Sequence, residues 1–313
     1  MSKPSLLYRA YLELNNQLSV IEKLKSTSKR LSNPPIFILG APRCGSTLFF
    51  QSLVVEYNFS YLSNLHCRLF GAPWLIDQFT DVKHKYGQNV SFESKFGSIN
   101  GWYSPSECGE YWYRFFPRER HYVAEHDMRE ISINRLKTSL NSLRRTTNSP
   151  YVFKNLMNSL RIRPILKAVP DALFIVLFRN PIDIAHSILE ARMKTSNSYD
   201  SWFSVKPENY SSIKTLLPEQ QVIEQIRSIY DEIKQVSLLN PDQFISIKYE
   251  HFCSSTSNVF KQIDSFLETH SINSQRTNLV PESFEIRKRI RIDKELYKSL
   301  EKHLLKNPIV YDF

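Results

Sequence analysis

Short apolar runs alternate with amphipathic stretches along most of the chain. The apolar runs lie at residues 36–39, 59–62, 151–153, 173–178 and 244–247. Apolar positions recur at helical spacing in residues 5–30, 47–56, 181–193, 218–239 and 258–269. Uniformly apolar strands are typical of parallel sheets that are buried on both faces. The pattern therefore predicts an α/β fold with three layers and a central parallel sheet of about five strands.

Two stretches do not follow this alternation. Residues 70–150 are expected to form a helical and loop insertion beside the sheet. Residues 195–217 are irregular, and because long loops in compact domains often close over a site, the segment around Trp202 is a candidate lid. Packing of Trp202 in the core is the alternative. We expect one domain over residues 1–313, with an N-terminal helix in 1–33, a core at 34–270 and a C-terminal extension at 271–313.

Composition narrows the class of partner. The chain has 313 residues, of which 42% are hydrophobic, and a net charge of +10. This charge favours an anionic partner, and a basic surface with no specific partner is the alternative. Neither zinc-finger spacing nor an RNA-binding aromatic motif is present, so a small anionic ligand is favoured over nucleic acid. No window approaches the ~18 apolar residues that a membrane span requires.

The cysteines provide a further expectation. Cys44, Cys67, Cys108 and Cys253 form no C-x-x-C pair, so a zinc site is not expected. The first residues have no continuous apolar core of the kind that a secretory leader contains. We therefore expect a cytoplasmic protein in which all four cysteines are reduced thiols.

A phosphate-binding loop is predicted between the first strand and its helix. Gly40 and Gly45 have the spacing G-x-x-x-x-G and follow the apolar run at 36–39 directly. Glycines let the backbone approach an anion closely, and the N–H groups and dipole at a helix start favour negative charge. A strand-to-helix turn with incidental glycines is the alternative.

The basic residues around this loop are not those of a nucleoside triphosphate site. Ser46 stands where such loops place lysine, and the cation of the loop is Arg43. Two other predicted strands end at Lys154 and Arg179, where a magnesium-dependent phosphotransferase commonly has an acidic residue. The sequence therefore predicts an anion site without a metal ion.

Two motifs resemble those of the sulfotransferase family. Its first motif, P-[KR]-[SC]-G-[ST]-[ST], is matched at every position by Pro42, Arg43, Cys44, Gly45, Ser46 and Thr47. Its second motif is a strand followed by arginine and, eight residues later, serine. Arg179 and Ser187 match it after the apolar run at 173–178. The resemblance covers roughly residues 34–270 and is nearest to the bacterial and Golgi-type branch.

The resemblance implies a fold like that of P-loop nucleotide-binding proteins, and 3′-phosphoadenosine 5′-phosphosulfate as the sulfuryl donor. In the family the first motif binds the 5′-phosphosulfate, and the arginine and serine of the second bind the 3′-phosphate. Lys154 is similar to a family lysine that follows the central strand. With Arg43, it is expected to stabilise the charge that grows on the departing phosphate. The alternatives are that Lys154 is a surface lysine, that Arg179 only forms a salt bridge, and that Ser187 is an ordinary helix residue.

Transfer to a hydroxyl also needs a general base. Family members use histidine or glutamate from segments after the first motif, and the candidates here are His66, Glu107 and Glu110. A related branch has its catalytic glutamate at the position that Asn64 occupies here. Because an asparagine side chain cannot act as that base, the role cannot be assigned to residue 64. We favour Glu107, because Pro105 and Gly109 should fix its loop. Capping of the next helix by Glu107 and simple packing of His66 are the alternatives.

The sequence indicates the acceptor less specifically than it indicates the donor. The aromatic-rich insertion and the positive charge favour a saccharide, with phenols, lipids and peptides as alternatives. Residues 287–289 (Arg-Lys-Arg) are either a late basic loop near the 3′-phosphate or a solvated helix face. The competing functions are a nucleoside or small-molecule kinase and an inactive nucleotide-binding scaffold. The oligomeric state is not indicated.

Overall fold

The computed structural model describes residues 5–24, 33–87, 90–93, 97–286 and 290–310. Its centre is a five-stranded sheet in which all neighbouring strands are parallel. The strands are β1 (Ile36–Leu39), β2 (Ser60–Tyr61), β3 (Tyr151–Lys154), β4 (Leu173–Phe178) and β5 (Phe244–Lys248), in the order β2-β3-β1-β4-β5. The predicted α/β fold with a central parallel sheet is confirmed.

The α-helices precede the first strand, connect the strands and follow the last strand. They are α1 (Leu6–Leu24), α2 (Ser46–Glu56), α3 (Asn64–Arg68), α4 (Trp74–Phe79), α5 (Val82–Gly87), α6 (Gly109–Trp112), α7 (Glu130–Arg144), α8 (Ile162–Ala168), α9 (Pro181–Ser196), α10 (Tyr210–Ile213), α11 (Pro218–Leu239), α12 (Tyr249–Ser254), α13 (Thr256–Thr269) and α14 (Lys294–Lys306). Short 3-10 turns occur at Glu125–Asp127, Leu156–Leu160 and Pro241–Gln243. Within its described residues, the stretch 70–150 is the expected helical and loop insertion.

Aromatic packing fixes the middle of the sheet. Every residue of β1 is buried, and Phe37 stacks on Phe153 of β3 and Phe174 of β4 with ring centroids 5.2 and 5.7 Å apart. Trp112 from the insertion covers Phe37 at 6.1 Å. Such aromatic pairs add about 0.5–1.5 kcal/mol each beyond their buried area. The insertion is thus anchored on the strand from which the predicted phosphate loop departs.

Helix α1 docks on the insertion through buried polar groups. The Asn15 side chain donates to the Arg68 carbonyl at 3.2 Å and accepts from the Gly71 backbone N–H at 2.8 Å. The Glu22 carboxylate pairs with Arg114 and accepts from the Ser139 hydroxyl. The helix predicted at residues 5–30 is confirmed for Leu6–Leu24, and residues 25–30 lie outside the described chain. Every described helix is too short or too polar to cross a bilayer.

One sequence expectation is wrong. The structure joins Cys67 and Cys108 in a disulfide, with Cα atoms 5.2 Å apart, whereas Cys44 and Cys253 are free and buried. Sequence spacing could not show this pairing, because 41 residues separate the two cysteines. An antiparallel bridge between Ser63 and Pro105 brings their segments together. The expectation of four reduced thiols therefore fails for Cys67 and Cys108.

Candidate functional site

The loop between β1 and α2 depends on its two glycines. Gly40 has a φ of 153°, and a Cβ there would lie 2.5 Å from the Leu177 carbonyl oxygen. Gly45 has a φ of 93°, and a Cβ there would overlap the Tyr249 ring. A side chain at either position would push the loop away from β4 or from α12. The glycines therefore set how tightly the loop fits against its neighbours.

The loop also presents the start of α2 to a cleft. Helix α2 begins at Ser46, and no side chain caps its first turn. The first N–H groups of a helix have no partner within the helix, and the dipole there favours an anion. Arg43 adopts a left-handed conformation with a φ of 68°, which costs of order 1–3 kcal/mol for a residue with a side chain. Such strain is concentrated at binding sites.

Two arginines meet at the loop, Arg43 from the loop itself and Arg179 directly after β4. The Arg43 Nε donates to the Ser187 hydroxyl at 2.9 Å, and the Arg179 guanidinium donates to the Arg43 carbonyl at 3.5 Å. Arg179 also lies 5.0 Å from the Tyr249 ring centroid and 3.9 Å from an Asp183 oxygen. Burial lowers the pKa of Arg43, and the nearby Arg179 charge acts in the same direction.

One atom of this cluster lacks a protein partner. Within the described chain, the Arg179 Nε is buried and makes no hydrogen bond. A buried donor without an acceptor costs about 1–3 kcal/mol, so an anionic ligand atom there would recover that loss. Cys44, by contrast, is fully buried behind the loop, and burial raises the pKa of its thiol. Cys44 therefore supports the loop by packing.

A buried lysine connects the loop to the insertion. Lys154, at the end of β3, is 3% exposed and donates to the Thr47 hydroxyl at 3.0 Å. Its ammonium group also pairs with the Glu107 carboxylate. The Glu107 side chain is 39% exposed, so the carboxylate is open to the cleft while it contacts the lysine. Asn155 fixes the Glu107 loop by donating to the Glu107 carbonyl at 3.2 Å.

The other two candidate bases lie in different surroundings. Glu110 borders the cleft, but both of its oxygens are held by Arg118. His66 is fully buried and does not line the cleft. Its Nδ1 lies 2.8 Å from the Ser63 hydroxyl, and its Nε2 lies 3.1 Å from an Asp77 oxygen. The structure thus brings Glu107 together with Lys154 and the loop, and leaves His66 in the supporting core.

The cleft has a volume of about 520 Å³ and includes residues that sequence reasoning missed. Tyr249 and Gly97 both line the cleft. A Cβ added to Gly97 would lie 3.7 Å from a Glu107 carboxylate oxygen and 3.7 Å from the Thr47 hydroxyl oxygen. Phe203 and Ser204 also line the cleft, and both belong to the segment predicted as a candidate lid. Spacing alone gave no signal for Tyr249 or Gly97, because each approaches from a helix or loop distant in sequence.

Two expectations about outlying segments have different outcomes. The predicted lid segment does border the cleft, but Trp202 itself packs away from it, against Tyr210 at 4.7 Å, and donates to the Val205 carbonyl. Residues 287–289 lie outside the described chain. Among the described residues, no cluster of His, Cys, Asp and Glu side chains could hold a metal ion.

The cleft opens at the carboxyl ends of β1, β3 and β4. Strand β1 is the central strand, and the strands that follow it in sequence lie on both sides of it. Ligands of open α/β sheets bind at this position. A glycine loop, a helix start and cations at the neighbouring strand ends together form a site suited to an anionic group. The profile of the sulfotransferase family matches residues 34–271, and the chain belongs to that family.

One of two similar solved structures supports the fold. A sulfotransferase from Mycobacterium avium superposes with a TM-score of 0.53 at 15% identity, covering 99% of this chain and 80% of that one. A sulfotransferase from Alicyclobacillus acidocaldarius gives a TM-score of 0.48 at 14% identity, covering 88% of this chain and 93% of that one. No curated protein matches the sequence. Family membership identifies the chain as a transferase enzyme.

Proposed function

We propose that this enzyme transfers the sulfuryl group of 3′-phosphoadenosine 5′-phosphosulfate to an acceptor hydroxyl, with a saccharide as the acceptor. The observation that supports it most is the contact between Lys154, Glu107 and Thr47. This contact joins a candidate base and a buried cation to the anion loop, although the residues lie 47 and 107 positions apart. Base, cation and loop are the three components that in-line transfer requires.

The donor fits the cations around the loop. The N–H groups at the start of α2 and the Arg43 side chain would hold the 5′-phosphosulfate. Arg179 and Ser187 would hold the 3′-phosphate, and the Arg179 Nε without a partner supports this assignment. A second phosphate distinguishes this donor from an ordinary adenine nucleotide, which has no group to place there.

Each residue in the cleft then has a defined task. The Glu107 carboxylate accepts the proton of the acceptor hydroxyl as the new bond from oxygen to sulfur forms. The bond from sulfur to the bridging oxygen breaks, and 3′-phosphoadenosine 5′-phosphate leaves with the electron pair. Lys154 and Arg43 stabilise the charge that develops on that oxygen, and one such preorganised donor is worth about 2.7–4 kcal/mol in the transition state.

Nucleotide binding and turnover test the proposal separately. The product nucleotide at 100 times its Kd should stabilise the protein by about 2.7 kcal/mol, measured as a rise in melting temperature. Sulfate transfer from labelled donor to a panel of saccharides should continue in EDTA. Loss of activity in EDTA together with transfer from ATP would identify a kinase. Nucleotide binding without transfer to any acceptor would identify an inactive scaffold, and absence of nucleotide binding would exclude both donor-using functions.

A further inference from the structure

A second cavity continues outward from the cleft. It has a volume of about 430 Å³ and shares Asn64, Cys67, Ile99 and Glu110 with the cleft as lining residues. The two cavities therefore meet along one wall, and a ligand larger than a single ring could extend from the Glu107 carboxylate into the second. We call this second cavity the outer lobe.

An exposed indole forms part of the outer lobe. The Trp102 side chain is 60% exposed, whereas Trp74 and Trp112 are at most 5% exposed and Trp202 is half-buried. Leaving so large an apolar side chain in water forfeits the burial energy that aromatic rings usually contribute. An exposed ring beside a cavity is a surface on which a flat ligand can stack.

The backbone around Trp102 is held in place. The Trp102 carbonyl accepts from the Leu65 N–H at 2.8 Å. The Asn64 side-chain amide donates to the Ile99 and Gly101 carbonyls, both at 2.8 Å. Three hydrogen bonds thus position the loop that carries the indole, although the indole itself is exposed. Asn64 therefore acts in this chain as a support of the loop.

A cation lies beside the indole. The Arg68 guanidinium carbon is 5.9 Å from the Trp102 ring centroid, and the Arg68 side chain is exposed. Among the described residues, Arg68 makes no ion pair. Glu110, whose carboxylate also borders the lobe, is paired with Arg118. The lobe thus presents a positive charge that the protein does not neutralise there.

Helix α1 closes the other side of the lobe. The Tyr11 hydroxyl donates to the Cys67 carbonyl at 2.7 Å, and its ring packs edge-on against Phe70 at 5.6 Å. Helix α1 lies outside the residues matched by the family profile, which begin at 34. This wall is therefore supplied by a segment that the family profile does not include.

We infer that the outer lobe binds a sugar ring with a carboxylate or sulfate substituent, joined to the sugar whose hydroxyl is sulfated. This inference rests on the proposed function. The ring stacks on Trp102 and its anionic group pairs with Arg68. An alkyl chain fits less well, because the polar side chains of Asn64, Arg68 and Glu110 share the lobe with the aromatic groups.

Two disaccharides that differ by one carboxylate test the inference: cellobiouronic acid and cellobiose. Each is titrated into the full chain, with and without 3′-phosphoadenosine 5′-phosphate, by calorimetry and by tryptophan fluorescence. Cellobiouronic acid should bind at least ten-fold more tightly, and the preference should weaken with added salt, because the exposed charge is screened. Binding should quench fluorescence in the wild type and not in Trp102→Phe, which keeps a stacking ring.

Matched variants separate the lobe from the rest of the enzyme. Arg68→Gln should remove the preference for the acid and leave cellobiose affinity unchanged. Trp102→Ala should weaken both sugars about ten-fold, and Arg129→Gln, at an exposed arginine elsewhere, should change neither. Equal binding of the two sugars, a preference that survives Arg68→Gln, or no binding of either would overturn the inference. Nucleotide affinity is measured separately from sugar binding. A protein that binds no nucleotide would refute the proposed function, whereas the sugar titrations alone decide whether the outer lobe binds an acidic sugar.

Discussion

Replacing Glu107 with glutamine removes the proposed base while keeping its shape. An amide oxygen can still accept from Lys154, which also keeps its 3.0 Å hydrogen bond to Thr47. The Lys154 side chain is only 2% exposed, so the substitution leaves a buried ammonium without its carboxylate, and the free energy of unfolding should fall by about 3 kcal/mol. Loss of a general base lowers kcat by about 10²–10⁴, which corresponds to roughly 2.7–5.5 kcal/mol in the barrier. The rate must therefore be measured well below the melting temperature of the variant, where the protein stays folded and only the change in the barrier is observed.

The assay for Glu107→Gln is single-turnover sulfate transfer from labelled donor, with nucleotide affinity measured by calorimetry. Glu110→Gln is the matched control, because Glu110 is three residues away and paired with Arg118. Transfer by Glu107→Gln should fall at least 100-fold with unchanged nucleotide affinity, and Glu110→Gln should stay within a few-fold of wild type. Retained transfer in Glu107→Gln, or an equal loss in Glu110→Gln, would refute the assignment.

Three further predictions concern other parts of the molecule. Arg179→Ala should weaken binding of 3′-phosphoadenosine 5′-phosphate by about 1.5–3 kcal/mol in calorimetry, and unchanged affinity would contradict the 3′-phosphate assignment. The double substitution Cys67→Ser and Cys108→Ser removes a disulfide that closes a loop of 41 residues, which the chain-entropy model values at roughly 4 kcal/mol. The melting temperature of the double variant should therefore drop, and an unchanged melting temperature would contradict this. Burial lowers the pKa of His121 to about 4, below its unfolded value of about 6.5. The unfolded chain therefore binds more protons between these pH values, and stability should fall by up to roughly 3 kcal/mol as pH drops through them. His121→Gln should flatten this dependence in urea titrations, and an unaltered slope would contradict it.

Local sequence signals predicted the parts of the fold that depend on local interactions. The buried run of β1 and the glycines after it predicted the strand, the loop and the start of α2, because each follows from a few adjacent residues. Helix α11 has the predicted bounds, Pro218–Leu239, since a proline start and a long apolar stripe specify it. Residue types at strand ends also indicated Lys154 and Arg179, because strands of one parallel sheet end at a common edge.

Features that depend on distant contacts were not predictable in the same way. Asp77 engages His66 across 11 residues and turns a candidate base into part of a buried network. Trp102 and Trp112 come from one aromatic-rich stretch, yet one is exposed and the other is in the core. Pattern alone cannot separate them, because burial is decided by what the insertion packs against. The same limit applies to Tyr249, whose ring reaches the loop from the far edge of the sheet.

The docking of α1 through Asn15 has a consequence for how this enzyme can diversify. The residues assigned to the nucleotide lie at positions 42–47 and 179–187, whereas Tyr11 borders the outer lobe from a separate stretch of sequence. Under the proposed function, substitutions on the lobe-facing side of α1 would alter acceptor preference and leave the donor residues unchanged. Acceptor choice and donor binding would then be able to change independently, because they depend on different segments of the chain.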